Sequence, residues 1–178
     1  MQKRRDFIKN TTILGAGIAL APSLAFGNTE KNVSEKLKLA FIGIGGRGMG
    51  HLVNALRRDD VEVTAICDID SSRLAAGAKR IEEAGGKRPK VFGKYDYDYR
   101  NLLAEKDVDA VVISTPWLWH TRMTKDAMLA NVYAGVEVSA ANTMEECWDL
   151  VNTHEKTGTH MMILENVNYR RDVLAVLN

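Results

Sequence analysis

The chain is predicted to fold as an α/β protein built on a doubly wound, all-parallel sheet. Three observations carry this expectation. Strand-like segments alternate with segments of helical apolar spacing, at the intervals of successive βαβ units. The stretch "VDAVVIS" (108–114) is apolar almost without a break, the pattern of a strand buried on both faces. A glycine-rich turn, "GIGGRGMG", joins the first strand to the first helix.

The N-terminal segment is set aside before the fold is read. Arg4-Arg5-Asp6-Phe7-Ile8-Lys9 is a twin-arginine pattern, an apolar run extends from Thr11 to Phe26, and Ala25-Phe26-Gly27 offers small residues for cleavage. The run carries Gly15, Gly17 and Pro22 and falls short of the roughly 20 residues of a comfortable membrane span. Residues 1–27 are therefore expected to be a cleaved export signal, with no stable membrane span, and the protein is expected in the periplasm. Residues 28–36 are polar and read as a linker.

The elements then follow in order. Residues 37–44 form a strand, 48–60 a helix and 61–67 a strand. Ser71 or Ser72 caps a helix through Ala84, which Gly85-Gly86 stops. Residues 87–107 hold a short strand and a short helix, and 108–114 the third long strand. After Thr115-Pro116, residues 120–130 read as helical and 133–139 as a strand. Thr143 and Glu146 make a capping box for a helix over 144–157, ended by Gly158. Residues 160–166 are a further strand, and 170–178 open a helix.

Of the 178 residues, about 150 remain after the signal, enough for one domain with a sizeable core. The chain's net charge is +1, of which Lys3, Arg4, Arg5 and Lys9 against Asp6 contribute +3. The remainder is mildly acidic, which gives no electrostatic case for nucleic acid or an anionic membrane surface. Cys67 and Cys147 make no disulfide framework and are expected to be buried thiols.

Gly43, Gly45 and Gly48 spell G-x-G-x-x-G between strand and helix. The first permits a tight turn, the second lets the backbone approach a pyrophosphate, and the third lets helix and strand pack closely. Amides at the helix start favour the anion. Asp68 follows Gly48 by 20 residues, at the end of the second strand, where a carboxylate accepts from both ribose hydroxyls and repels a 2′-phosphate. A Rossmann-type domain binding NAD rather than NADP is the expectation, with Gly45 and Asp68 in its site. Asp70, the competing carboxylate, is expected to start the next helix instead.

Ligands of such sheets lie across the carboxyl ends of the strands. The polar and aromatic residues there are Arg47, Trp117 to His120, Glu137, Ser139, Glu165 and Asn166. Each also has a plainer reading: the tryptophans cover a sheet edge, His120 caps a helix, and Glu137 pairs with Arg47 or a lysine.

On "GIGGRGMGH", "CDID", "STPWLWH", "GVEVS", "EECWDLVNTHEKTGTH" and "LENVNYRRDVLAVLN", the chain resembles the glucose–fructose oxidoreductase and inositol dehydrogenase (Gfo/Idh/MocA) family. Within it, the chain is most similar to the exported NAD-dependent α-N-acetylgalactosaminidases of glycoside hydrolase family 109. The resemblance implies NAD contacts at Gly46, Arg47, Asp68, Trp117, Leu118, Trp119, His120, Glu137, Val138 and Asn166. It implies cleavage of terminal α-N-acetylgalactosamine by oxidation at C3, elimination, addition of water and reduction, an exception to the two-carboxylate scheme. Sugar dehydrogenases of the family commonly carry Glu-Lys-Pro where Val138 and Ser139 follow Glu137 here, so the usual proton-handling lysine is missing.

The resemblance further implies a glycan or sugar substrate and the twin-arginine export machinery as partners. It places the substrate domain after Asn178, so residues 37–168 are read as the NAD-binding domain and 169–178 as the start of a helix leading out of it. No catalytic residue and no metal site are assigned within the chain, and the oligomeric state stays open, a homo-oligomer included. The alternatives are a sugar dehydrogenase of the wider family and a non-catalytic NAD-binding module.

Overall fold

A computed structural model describes residues 36–177. The expected export signal and all but the last residue of the expected linker lie outside the described residues. Six strands form one sheet: β1 (Leu37–Ile42), β2 (Val61–Cys67), β3 (Lys90–Phe92), β4 (Ala110–Ile113), β5 (Tyr133–Val136) and β6 (Met161–Ile163). Their order is β3-β2-β1-β4-β5-β6 and every pair is parallel. The direction of winding reverses between β1 and β4, the point at which such sheets open a crevice for ligands.

Helices cover both faces. They are α1 (Gly46–Ala55), α2 (Ser71–Glu83), α3 (Tyr99–Leu103), α4 (Trp117–Leu129), α5 (Met144–Thr157) and α6 (Arg171–Leu177), with a 3₁₀ turn over Val167–Tyr169. β1 shows why two layers are needed. Ala40 and Ile42 join the cluster of Leu102, Met123, Met128 and Leu150 from α3, α4 and α5. Phe41, pointing the other way, joins Leu52, Leu74 and Ile81 from α1 and α2. Each fully buried large aliphatic or aromatic side chain contributes about 1.5–3 kcal/mol. Among the described residues, no helix is long and apolar enough to cross a membrane.

The expected elements are all present, with differences at their ends. β4, β5 and β6 are shorter than the apolar runs that contain them, because pairing stops where the chain turns into the crevice. α4 begins at Trp117, three residues before the expected start, since Pro116 already stands in the extended conformation of an N-cap. α2 is capped by Asp70, the residue expected to start it, rather than by Ser71 or Ser72. The Asp70 carboxylate accepts from the Ser72 and Arg73 amides, and the Ser72 hydroxyl donates to it, leaving neither serine to act as the cap. Thr143 and Gly158 bound α5 as expected. The Glu146 carboxylate reaches the Asn142 amide at 2.7 Å, one residue before the position of a standard capping box. Cys67 is buried but Cys147 is exposed; α5 turns Leu150 and Thr153 inward and leaves Cys147 on its outer face.

Candidate functional site

The glycine turn sits at the switch point. Gly43 has φ +83, and a Cβ there would lie 2.8 Å from the Ser114 backbone at the end of β4. A Cβ on Gly48 would collide with the Gly43 carbonyl oxygen, so α1 rests directly on the turn. These two glycines are explained by the fold alone. Gly46, by contrast, faces open space, and Gly45 meets only the Arg73 guanidinium. Gly45 provides no side-chain cap to α1 and its first turn holds no acidic residue. The leading amides of the helix are therefore left for an anion.

Beside the turn lies a cleft of about 230 Å³ lined by Gly45, Asp68, Arg73, Tyr95, Ser114 and Trp119, among others. That is below the range of a complete small-ligand pocket, and suits one end of a dinucleotide. Asp68 is buried at its edge. One carboxylate oxygen accepts from the Ile44 amide at 2.7 Å and the other from the Asp70 amide at 2.9 Å. Each oxygen holds a single donor and has a lone pair to spare. The Ser114 hydroxyl is buried without a hydrogen-bond partner, a polar atom left for something the protein does not supply. Uncapped amides, a fixed carboxylate and an orphaned hydroxyl around one turn fit a dinucleotide.

A second cluster lies at the ends of β5 and β6. The Arg47 Nε–H donates to Glu137 Oε1 at 2.7 Å, and the same guanidinium donates through Nη2 to Asn166 Oδ1 at 3.2 Å. His51 Nε2 stands 2.5 Å from the same Glu137 oxygen; a carboxylate only accepts, so this nitrogen carries the hydrogen. Burial pushes the Glu137 carboxyl up, but the bonds from Arg47 and His51 outweigh it and hold the group below its ordinary range. Among the described residues no donor meets Oε2, so the Glu137 side chain, 8 % exposed, has one oxygen available to a ligand.

The other expected residues divide. Trp119 packs partly into the core and meets the Tyr97 ring edge-on at 5.4 Å. His120 is buried, with Nδ1 2.8 Å from the Ser139 carbonyl and Nε2 2.7 Å from the Thr115 carbonyl. It braces the loops after β4 and β5 and does not cap α4. Trp117 and Leu118 are exposed on the first turn of α4, and Val138 is exposed beyond β5. Thus Gly45, Asp68 and Trp119 share the cleft, Gly46 and Arg47 open α1, and Arg47, Glu137 and Asn166 form the second cluster. His51, Arg73 and Ser114 were not expected. His51 was within reach of sequence reasoning, because it follows Arg47 by one helical turn and so shares its face. Among the described residues no group of three or more metal-ligating side chains stands together.

The comparisons with known proteins agree with this geometry. Residues 37–164 match the model of an oxidoreductase family with an NAD-binding Rossmann fold. The chain is 43 % identical to glycosyl hydrolase family 109 protein 2 of Shewanella sp. strain ANA-3, over 98 % of its own length and 42 % of the relative's. It is 42 % identical to an alpha-N-acetylgalactosaminidase of Tannerella forsythia, over 98 % of the chain and 41 % of that protein. The chain thus spans about two-fifths of the length of these relatives. Among solved structures, an NAD-binding protein from Listeria innocua matches with a TM-score of 0.65 at 27 % identity, covering 80 % of the chain and 39 % of that structure. The WlbA dehydrogenase of Chromobacterium violaceum, in complex with NADH and UDP-GlcNAcA, matches with a TM-score of 0.66 at 25 % identity, over 80 % and 39 %.

Proposed function

The chain belongs to the oxidoreductase family with an NAD-binding Rossmann fold, and we propose that it is the cofactor-holding part of an exported NAD-dependent α-N-acetylgalactosaminidase. The observation that carries this reading is the 42 % identity to the Tannerella forsythia enzyme across nearly the whole chain. Bound NAD would supply reversible hydride exchange with a sugar carbon.

The chain's own residues do the holding. The leading amides of α1, from Gly46 and Arg47 onward, receive the diphosphate. The Asp68 carboxylate accepts from the adenosine ribose hydroxyls, and its charge repels a 2′-phosphate. Glu137, kept ionised by Arg47 and His51, presents Oε2 at the other end of the crevice, with Asn166 beside it through Arg47. His120 ties Thr115, ahead of Trp117 and Leu118, to Ser139, which follows Val138. The roles proposed for these residues are in holding the cofactor, and none is proposed as acid or base on the sugar.

Because the cofactor ends each cycle as it began, an exported enzyme of this kind needs to hold its NAD tightly rather than draw on an external supply. Export of the folded, loaded protein by the twin-arginine route of residues 1–27 fits that need. A second reading, a sugar dehydrogenase, is favoured by the likeness to the WlbA dehydrogenase. The two separate in one experiment on the protein with all that its reading frame encodes, incubated with an α-N-acetylgalactosaminide in heavy water. Deuterium at C2 of a released sugar of retained α configuration is the result expected. An intact glycoside bearing a new ketone, with NADH formed in equal amount, would establish the dehydrogenase. No change in the substrate would leave an NAD-binding module.

A further inference from the structure

The cleft beside Asp68 has a charge problem. Its described lining holds two carboxylates, Asp68 and Asp96, and one cation, Arg73. Asp70 stands just outside, ionised below its usual range by the hydrogen bonds of its capping role, the Ser72 hydroxyl first. A dinucleotide brings two more negative charges to the amides next to Gly45. At separations of a few ångströms such charges repel strongly in a partly desolvated crevice, and backbone amides offset this only in part.

Arg73 is placed to correct the balance. It lies in the first turn of α2, yet its guanidinium crosses to the glycine turn. Nη1 stands 3.3 Å and Cζ 3.9 Å from where a Cβ on Gly45 would be. The absence of a side chain at Gly45 thus leaves room for the guanidinium as well as for a pyrophosphate. Arg73 is loosely held: among the described residues its ion pair is with Asp70 at 3.5 Å, and its side chain is 53 % exposed. A weak, solvated pair of that kind contributes little and is easily exchanged for a phosphate, which a guanidinium binds through two parallel bonds.

Resting on the NAD-binding reading above, we propose that Arg73 is a cofactor clasp: its guanidinium closes over the diphosphate at Gly45 and slows release of the dinucleotide. Asp68 then selects the cofactor and Arg73 retains it.

The test measures binding and release of NAD, ADP and adenosine by the full-length wild-type protein, Arg73→Ala and Arg73→Lys. For Arg73→Ala, affinity for NAD and for ADP is expected to fall by a common factor of about ten, mainly through faster release, while adenosine binding is unchanged. Arg73→Lys should recover part of the loss, since it returns the charge without the fork. The side chain is half exposed, and an unchanged melting temperature without ligand checks that the fold is kept. Equal weakening of adenosine would overturn the proposal in favour of a contact with the base. Unchanged affinities would overturn it outright. If the wild type binds neither NAD nor ADP, the underlying NAD reading fails and the clasp with it.

Discussion

At the level of single residues, Glu137 carries the sharpest pH signature. Its carboxyl is held below the ordinary value of 4.5 because the bonds from Arg47 and His51 outweigh the cost of burial. A carboxyl depressed on folding adds stability that is fully present above its unfolded pKa and disappears as pH falls through the folded one. The unfolding free energy of wild type over Glu137→Gln is therefore expected to shrink as pH falls below about 4.5. Urea titrations of both proteins across that range check it, and a gap that widens on acidification would contradict the assignment. The two cysteines make a second contrast. Burial, then the nearby charges of Asp98 and Asp68, push the Cys67 thiol up to about 12, while Cys147 lies exposed on α5. Since the thiolate is the reactive form, iodoacetamide at neutral pH should label Cys147 and spare Cys67 in the native protein, and label both in urea. Peptide mass spectrometry reads the result directly.

At the level of elements, local chemistry decided most of what the sequence could announce. "VEVTAIC" is a strand over those very residues, because β-branched residues bounded by Asp-Asp and Asp-Ile leave little else to form. Thr143 and Gly158 delimit α5 because a cap and a left-handed glycine act within one turn. The Thr143 hydroxyl accepts from the Glu146 amide at 3.2 Å, so Thr143→Ala should cost about 1 kcal/mol in chemical denaturation, with no change in NAD affinity. Where neighbours compete, local pattern offers more than one reading, here Asp70 as the helix start beside Ser71 or Ser72 as the cap. Three successive candidates, Asp70, Ser71 and Ser72, can all cap α2, and the carboxylate wins by accepting from both amides while engaging the Ser72 hydroxyl. Likewise the tryptophans of "WLWH" read as loop because no apolar period marks the start of α4; its outer residues, Trp117 and Leu118, are exposed.

On the scale of the whole molecule, legibility follows sequence distance. The glycine turn and Asp68 were readable because strand, turn, helix and next strand lie within one βαβ unit, and the unit fixes their spacing. The cluster of Arg47, His51, Glu137 and Asn166 spans 86 to 119 residues of sequence, and only the sheet order places β5 and β6 beside the start of α1. Their residue types gave away a ligand edge but not which donor meets which oxygen. The same order predicts a division of labour. This chain supplies a nucleotide crevice, in which Asp68 accepts from two backbone amides and Glu137 from Arg47 and His51. It also exposes Tyr169, Leu174 and Val176 beyond β6, and Trp117 and Leu118 above the crevice, apolar surface of the kind that partners or further domains cover. The 178 residues alone are therefore expected to bind NAD without cleaving a glycoside. Free NAD at 100 times its dissociation constant adds about 2.7 kcal/mol of stability, a rise of about 5–10 °C in melting temperature for a domain of this size, with NADP at the same concentration giving a smaller rise because of Asp68. Absence of any NAD-dependent shift would remove the nucleotide site. Turnover of an α-N-acetylgalactosaminide by this chain alone would place the acid–base groups within it and overturn the division.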